Sequence, residues 1–215
     1  MTLDQYTRAS KLYNEKNDQI EQIAWCICVV FNKRPEDVNN WGKWKFLFYT
    51  KWLNYRFSKV IKPLRPLDMI TDAEQITLGQ FIEVEHFMKS GPYDSLAPIG
   101  ATIWKKEGNH KDKAKELNKT NVRRQLPQIT KFIESFQKLI ESYSGLFEQE
   151  AITTEEMEPT EPHPFVTQYG WIYSAKQVGD FEGIPLDKAY DLHILQAFND
   201  LAYLKAFSQY QKDMK

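Results

Sequence analysis

Glu83 and His86 lie three residues apart on a segment with helical patterning, and an i, i+3 Glu/His pair is the half-site of carboxylate-bridged di-iron bundles. Glu107 and His110 repeat the spacing, but Gly108, Asn109 and the surrounding lysines oppose binding of a dication. A complete site also needs two inward-facing carboxylates with supporting hydrogen bonds. Glu134 and Glu141, the candidates for that role, lie off the apolar face of their own helix. Both pairs are therefore read as solvated charges, and no metal or other cofactor is expected. No phosphate-cradling GxxxxGK or GxGxxG loop occurs, and no GxSxG elbow. Of the four histidines, His86, His110, His163 and His193, the last sits beside Asp191 at the start of the final helix and reads as a surface or capping group. Cys26 and Cys28, two apart in an apolar helical run, point about 200° apart around the axis. They cannot share a metal or close a relaxed disulfide with each other, and they read as small buried hydrophobes. No residue is assigned a catalytic role, and the chain is read as a non-enzyme.

Recognition chemistry is denser elsewhere. Residues Trp41 to Phe57, WGKWKFLFYTKWLNYRF, carry Trp41, Trp44, Phe46, Phe48, Tyr49, Trp52, Tyr55 and Phe57 with basic residues between them. A helix burying one stripe keeps an apolar arc of roughly 100°. Here Trp44, Phe48, Trp52 and Tyr55 fill one side, while Trp41, Tyr49 and Phe57 spill round the flank. The segment must touch its own core and something else: a partner chain, a membrane surface or a nucleic acid. Lys43, Lys45, Lys51, Arg56, Lys59 and Lys62 interleave with the rings as in single-strand grooves. Against nucleic acid, the tryptophans fall at helical core spacing, and the second basic run, residues 105–119, contains acids too. Aromatic residues and arginine are enriched at protein contacts, so a protein interface is the better reading. Trp41, Trp44, Trp52, Trp171, Leu201 and Leu204 are its candidate residues.

The whole chain agrees with that preference. Its 28 basic and 29 acidic groups leave a net charge of −1, so no overall field favours polyanions, and a specific nucleic acid is not expected as partner. The longest apolar run, residues 23–31, is nine residues long, against roughly 20 for a membrane-spanning helix. The opening MTLDQYTRAS has neither the basic start nor the apolar stretch of a signal peptide. A soluble, non-exported protein with no membrane partner is expected.

Periodicity predicts a mainly α fold, a helical bundle. One long helix is expected over 7–33, a short one from Pro35 to Asn39, and the aromatic helix from Asn40 to about Phe57. Pro63 and Pro66 exclude helix from 58–70, where a small β-hairpin or extended arm is expected. Thr77 is read as the N-cap of a helix over 78–89 ended by Gly91-Pro92, with another helix over 93–106. Residues 105–119 read as an exposed loop and 126–147 as a long amphipathic helix. Residues 148–164, with six glutamates and three prolines, read as an acidic linker. A helical module follows over 165–215: a helix over 165–178, a break at Gly179-Asp180, a turn over 185–190 and a helix over 192–212. The expected division is thus a helical domain over 1–147, the linker, and a C-terminal module that must dock on the domain or on a neighbour.

The stretches ITLGQFIEVE (76–85) and SLAPIGATIWK (95–105), with the C-terminal YGWIYSAKQVGDFEGIPLDKAYDLHILQAFNDLAYLKAF, resemble small structural and assembly proteins of tailed bacteriophages, in particular the neck ring proteins of crAss-like phages. The resemblance implies a non-enzymatic virion protein, a subunit of a homo-oligomeric ring joining portal and tail. Its partners would be further copies of itself, the portal and other neck or tail proteins, first in the host cytoplasm and then in the virion. Tail assembly chaperones share this size and helical content, so that role stays open, as does that of a nucleic-acid-binding accessory protein.

Overall fold

The computed structural model describes residues 1–15, 18–59, 65–89, 91, 94–147 and 164–214. These form twelve α-helices: α1 Leu3–Glu15, α2 Gln19–Phe31, α3 Pro35–Asn39, α4 Lys43–Ser58, α5 Leu78–Lys89, α6 Leu96–Ile103, α7 His110–Lys119, α8 Leu126–Ser142, α9 Ser144–Phe147, α10 Pro164–Glu182, α11 Leu186–Ala189 and α12 Ile194–Asp213. No sheet forms among the described residues, whose β pairing is limited to the bridges Thr2–Asn121, Met69–Trp104 and Thr77–His193. The fold is mainly α, as its periodicity predicts.

Helix starts follow side-chain chemistry. Thr77 Oγ1 accepts from the Gln80 N–H at 3.2 Å and Gln80 Oε1 accepts from the Thr77 N–H at 3.1 Å, a reciprocal capping box that starts α5. Thr2 and Gln5 repeat it for α1, at 3.2 and 3.0 Å. The single helix expected over 7–33 is two. Asp18 Oδ1 accepts from the N–H groups of Ile20 and Glu21 at 2.7 and 3.0 Å, so a new helix begins there. The loop expected over 105–119 is largely α7. Asn109 caps it by accepting from the Lys111 N–H at 2.8 Å, and the fully buried Leu117 anchors it. Gly108-Asn109, read as loop, is therefore a helix start.

The chain divides into two compact units, residues 1–71 with 84–131 and residues 72–83 with 132–215. These boundaries differ from the 1–147 and 165–215 division drawn from composition, because rings from 72–83 and 132–147 pack with the C-terminal helices.

In the first unit, Ala9, Cys26, Ile27, Cys28, Val30, Val38 and Leu53 form a core joining α1 to α4. α6 is apolar on every side and buried along its length. Residues beyond α4 brace its end: the Ile70 N–H donates to the Ile103 carbonyl at 2.9 Å and the Lys105 N–H to the Asp68 carbonyl at 3.1 Å. Part of the hairpin or arm expected over 58–70 thus lies in this extended pairing, while Ser58 ends α4 and residues 60–64 lie outside the described residues.

In the second unit, Phe81 is fully buried and meets Phe136 (4.8 Å between centroids), Phe198 (4.9 Å) and Trp171 (5.3 Å). Helix α10 does not break at Gly179 but runs to Glu182, and it ends at Gly183, whose φ of +69° suits a residue without Cβ. Gly179 is small for another reason. A Cβ there would stand 3.0 Å from the Ile184 carbonyl oxygen, which returns over the helix to leave Gly179 accepting from the Ile184 N–H at 2.9 Å. Gly179→Ala is therefore expected to destabilise the chain by about 1–3 kcal/mol despite the better helix propensity of alanine. Urea titration reads this, and an unchanged midpoint would contradict the close approach. The acidic linker expected over 148–164 lies outside the described residues as far as 163; Pro164 is the first residue of α10.

Candidate interaction face

Helix α4 is amphipathic in an unusual sense, since both its sides carry rings. Leu53, 5% exposed, marks the inner side, with Trp41 just before the helix and Phe46, Tyr49 and Phe57 packed against the core of the first unit. Phe31 meets Tyr49 edge to face at 5.1 Å, and Trp41 lies 4.5 Å from Tyr49. The four rings that crowd one side of the helical projection face the other way: Trp44 is 85% exposed, Tyr55 59%, Phe48 57% and Trp52 48%. Leu47 joins them at the edge. Core spacing in the tryptophans thus does not signify core here: Trp52 reaches Phe31 of α2 at 6.2 Å, yet it is still half exposed, and Trp44 is almost wholly so.

Over roughly three turns this face runs about 16 Å along the axis. At about 150–250 Å² per ring, half-exposed rings in this number leave on the order of 400–500 Å² of aromatic surface to water, the size at which a patch marks an interaction site. Phe48 stacks on Trp52 at 6.0 Å, so the rings are partly ordered by one another. Cations lie over rings: Lys45 over Trp41 at 4.6 Å, Lys59 over Tyr55 at 5.2 Å and Arg56 over Trp52 at 5.8 Å. At the C-terminal end of α4, Trp52, Tyr55, Arg56 and Lys59 line an open groove of about 400 Å³, whose other wall includes Val122 and Arg123.

Of the six candidate interface residues, Trp44 and Trp52 share this exposed face and Trp41 sits half-buried on the inner side. Trp171, Leu201 and Leu204 belong to the second unit, all half-buried, with Trp171 in the ring cluster around Phe81. The second unit exposes rings that the sequence reading did not single out. Tyr203 and Phe207 stack at 6.0 Å on α12, followed by Tyr210, and the three are 44–59% exposed. Their i, i+4, i+7 spacing is the signal that finds them.

The catalytic-looking pairs take other roles. Glu83, His86, Glu107, Glu134 and Glu141 are exposed, and among the described residues no three His, Cys, Asp or Glu side chains gather where they could hold a metal ion. His110 stacks on Phe87 at 5.4 Å with its Nε2 3.0 Å from the Pro98 carbonyl oxygen, which can only accept. Nε2 therefore carries the proton, and the ring fastens α7 to α6. His193 is exposed at the start of α12, and His163 lies outside the described residues. Both cysteines are free and buried. Burial pushes the Cys26 thiol up to about 11, and its Sγ donates to the Ala9 carbonyl at 3.3 Å. No helix among the described residues is long and apolar enough to cross a membrane.

The carboxyl group of Asp200 is shifted from its ordinary range by its surroundings. Burial, then the charge of Glu182 and a hydrogen bond to it, raise Asp200 above the ordinary 3.8. Its Oδ2 is buried without a hydrogen-bond partner. The folded chain thus holds this proton more tightly than the unfolded chain does. The associated stability is complete below pH 3.8 and is lost as pH rises through the higher folded value. Asp200→Asn is expected to stabilise the protein at neutral pH, by on the order of 0.5 kcal/mol once solvent screening is counted. Melting curves below pH 3.8 should show no such gain; a lower melting temperature for the variant at pH 7 would contradict the assignment.

Comparison of this chain with protein-family models, with curated proteins and with solved structures finds no match.

Proposed function

We propose that this chain is a non-enzymatic structural protein that assembles with further copies of itself, and that its particular role is that of a ring subunit in a phage head-to-tail connector. The observation that carries the assembly reading is the outward aromatic face of α4, Trp44, Phe48, Trp52 and Tyr55. Leaving such a face in water is unfavourable, and burying it against a protein surface recovers about 25 cal/mol per Å² before the costs of association. A closed ring needs two different surfaces that meet head to tail. The exposed rings of α12, Tyr203, Phe207 and Tyr210, supply a second apolar surface on the other unit. The connector role rests on the resemblance of residues 76–85, 95–105 and the C-terminal stretch to phage neck proteins. Light scattering of the purified chain over a concentration series tests assembly, and a monomer at every concentration would end that reading. Mass spectrometry of purified virions tests the role. Stoichiometric presence is expected, and absence would favour a tail assembly chaperone.

A further inference from the structure

The near-neutral net charge hides two blocks. From residue 38 to 67 the chain has seven basic residues, Lys43 to Arg65, and no acidic one. From residue 139 to 175 it has seven glutamates, Glu141 to Glu161, and neither lysine nor arginine. The first block contains α4 and its exposed rings; the second contains the prolines Pro159, Pro162 and Pro164. Among the described residues every ion pair lies outside the basic block: Lys11 pairs with Asp94 and Lys106 with Glu116, for instance, whereas Lys45, Arg56 and Lys59 lie over rings. These cations thus lie against aromatic rings, and among the described residues no carboxylate is paired to them.

We infer that the occupant of this face is a second copy of the chain, which presents its acidic, proline-containing block to the exposed side of α4. Charge complementarity selects that block. Carboxylates meet Lys45, Lys51, Arg56 and Lys59, and prolines pack on aromatic-lined grooves such as that of Trp52 and Tyr55. A contact between the acidic block of one copy and α4 of the next is heterologous, the kind that propagates round a ring. This inference rests on the assembly reading and names the partner of its site.

Three full-length variants test it. Lys45→Glu with Lys51→Glu reverses the face, Glu155→Lys with Glu156→Lys reverses the block, and the fourfold variant reverses both. All changes on α4 are at exposed positions, so the fold is expected to survive. Each twofold variant alone should self-associate on the order of tenfold more weakly than the parent chain. An equimolar mixture of the two should recover association, because one supplies an unaltered block and the other an unaltered face, and the fourfold variant should recover it too. Association of the parent chain should weaken as ionic strength rises above about 0.15 M. Recovery in the fourfold variant but not in the mixture would place the contact within one chain and overturn the inference. So would a loss on reversing the face with no effect from reversing the block, the outcome expected if α4 serves a nucleic acid. If association depends on Trp44 and Trp52 but ignores every charge reversal, this inference falls and the assembly reading stands. If the parent chain never associates, both fall.

Discussion

Trp44→Ala combined with Trp52→Ala is expected to leave the chain folded and to weaken the proposed self-association on the order of 100-fold or more. The fold survives because Trp44 is 85% exposed and Trp52 48%, while the core of the first unit is held by Leu53, Tyr49 and Phe57 on the other side of the helix. Truncating an exposed ring away from such a core changes stability by roughly 0.5 kcal/mol or less. The assembly falls because central aromatic anchors cost about 2 kcal/mol or more each when truncated at an interface, and 1.4 kcal/mol is a factor of ten. Circular dichroism with light scattering reads both halves. Loss of folding would place these rings in the core after all, and unchanged association would remove them from the contact.

The second large effect belongs to the other unit. Phe81→Ala is expected to cost about 3–5 kcal/mol of stability, enough to consume a large part of what a marginally stable domain has. Phe81 is completely buried, and around it stand Phe136, Phe198, Trp171 and Phe147, the last with its ring centroid at 6.3 Å. Four aromatic neighbours on four other helices cannot collapse onto an alanine without leaving a cavity. Chemical denaturation measures the loss, and a cost below about 1 kcal/mol would mean that the cluster repacks. The same residue explains why the C-terminal helices have a core at all. The module over 165–215 has too little to bury by itself, and Trp171 and Phe198 find their partners in Phe81 of α5, Phe147 of α9 and Tyr143 between α8 and α9.

Local chemistry was legible in the sequence where one residue type has one structural use. Thr77 before an apolar run, Pro35 at a helix start and Gly91 after one, with φ of +103°, stand where their chemistry puts them. Legibility failed where a residue has two uses. Asp18 in a polar stretch serves equally well inside a long amphipathic helix and as the cap that divides it. Asn109 after a glycine marks a loop or a helix start, and the single buried Leu117 is too faint a periodic signal to decide. Gly179 and Gly183 both look like stops; only the carbonyl of Ile184 distinguishes the glycine that permits a close approach from the one that ends the helix.

The candidate site was half legible for a related reason. The surplus of rings from Trp41 to Phe57 was plain, and with it the need for a second contact. Which side faces inward was not, because rings occupy both and hydrophobicity alone ranks them equally. The decision comes from Phe31 and Tyr6 on other helices, which reach Tyr49 and Phe57 and leave Trp44 outside. The exposed row on α12 is hard to see in the sequence because Leu201 and Leu204, interleaved with it, carry the stronger apolar signal and mark the more buried part of that helix.

An outward face made of rings also fixes how assembly answers to temperature. Removing aromatic surface from water carries a negative heat-capacity change, and near room temperature its driving force is mainly entropic. A contact built on Trp44, Phe48, Trp52 and Tyr55 is therefore expected to weaken on cooling, so that copies joined through α4 as proposed would dissociate more readily in the cold while each chain stays folded.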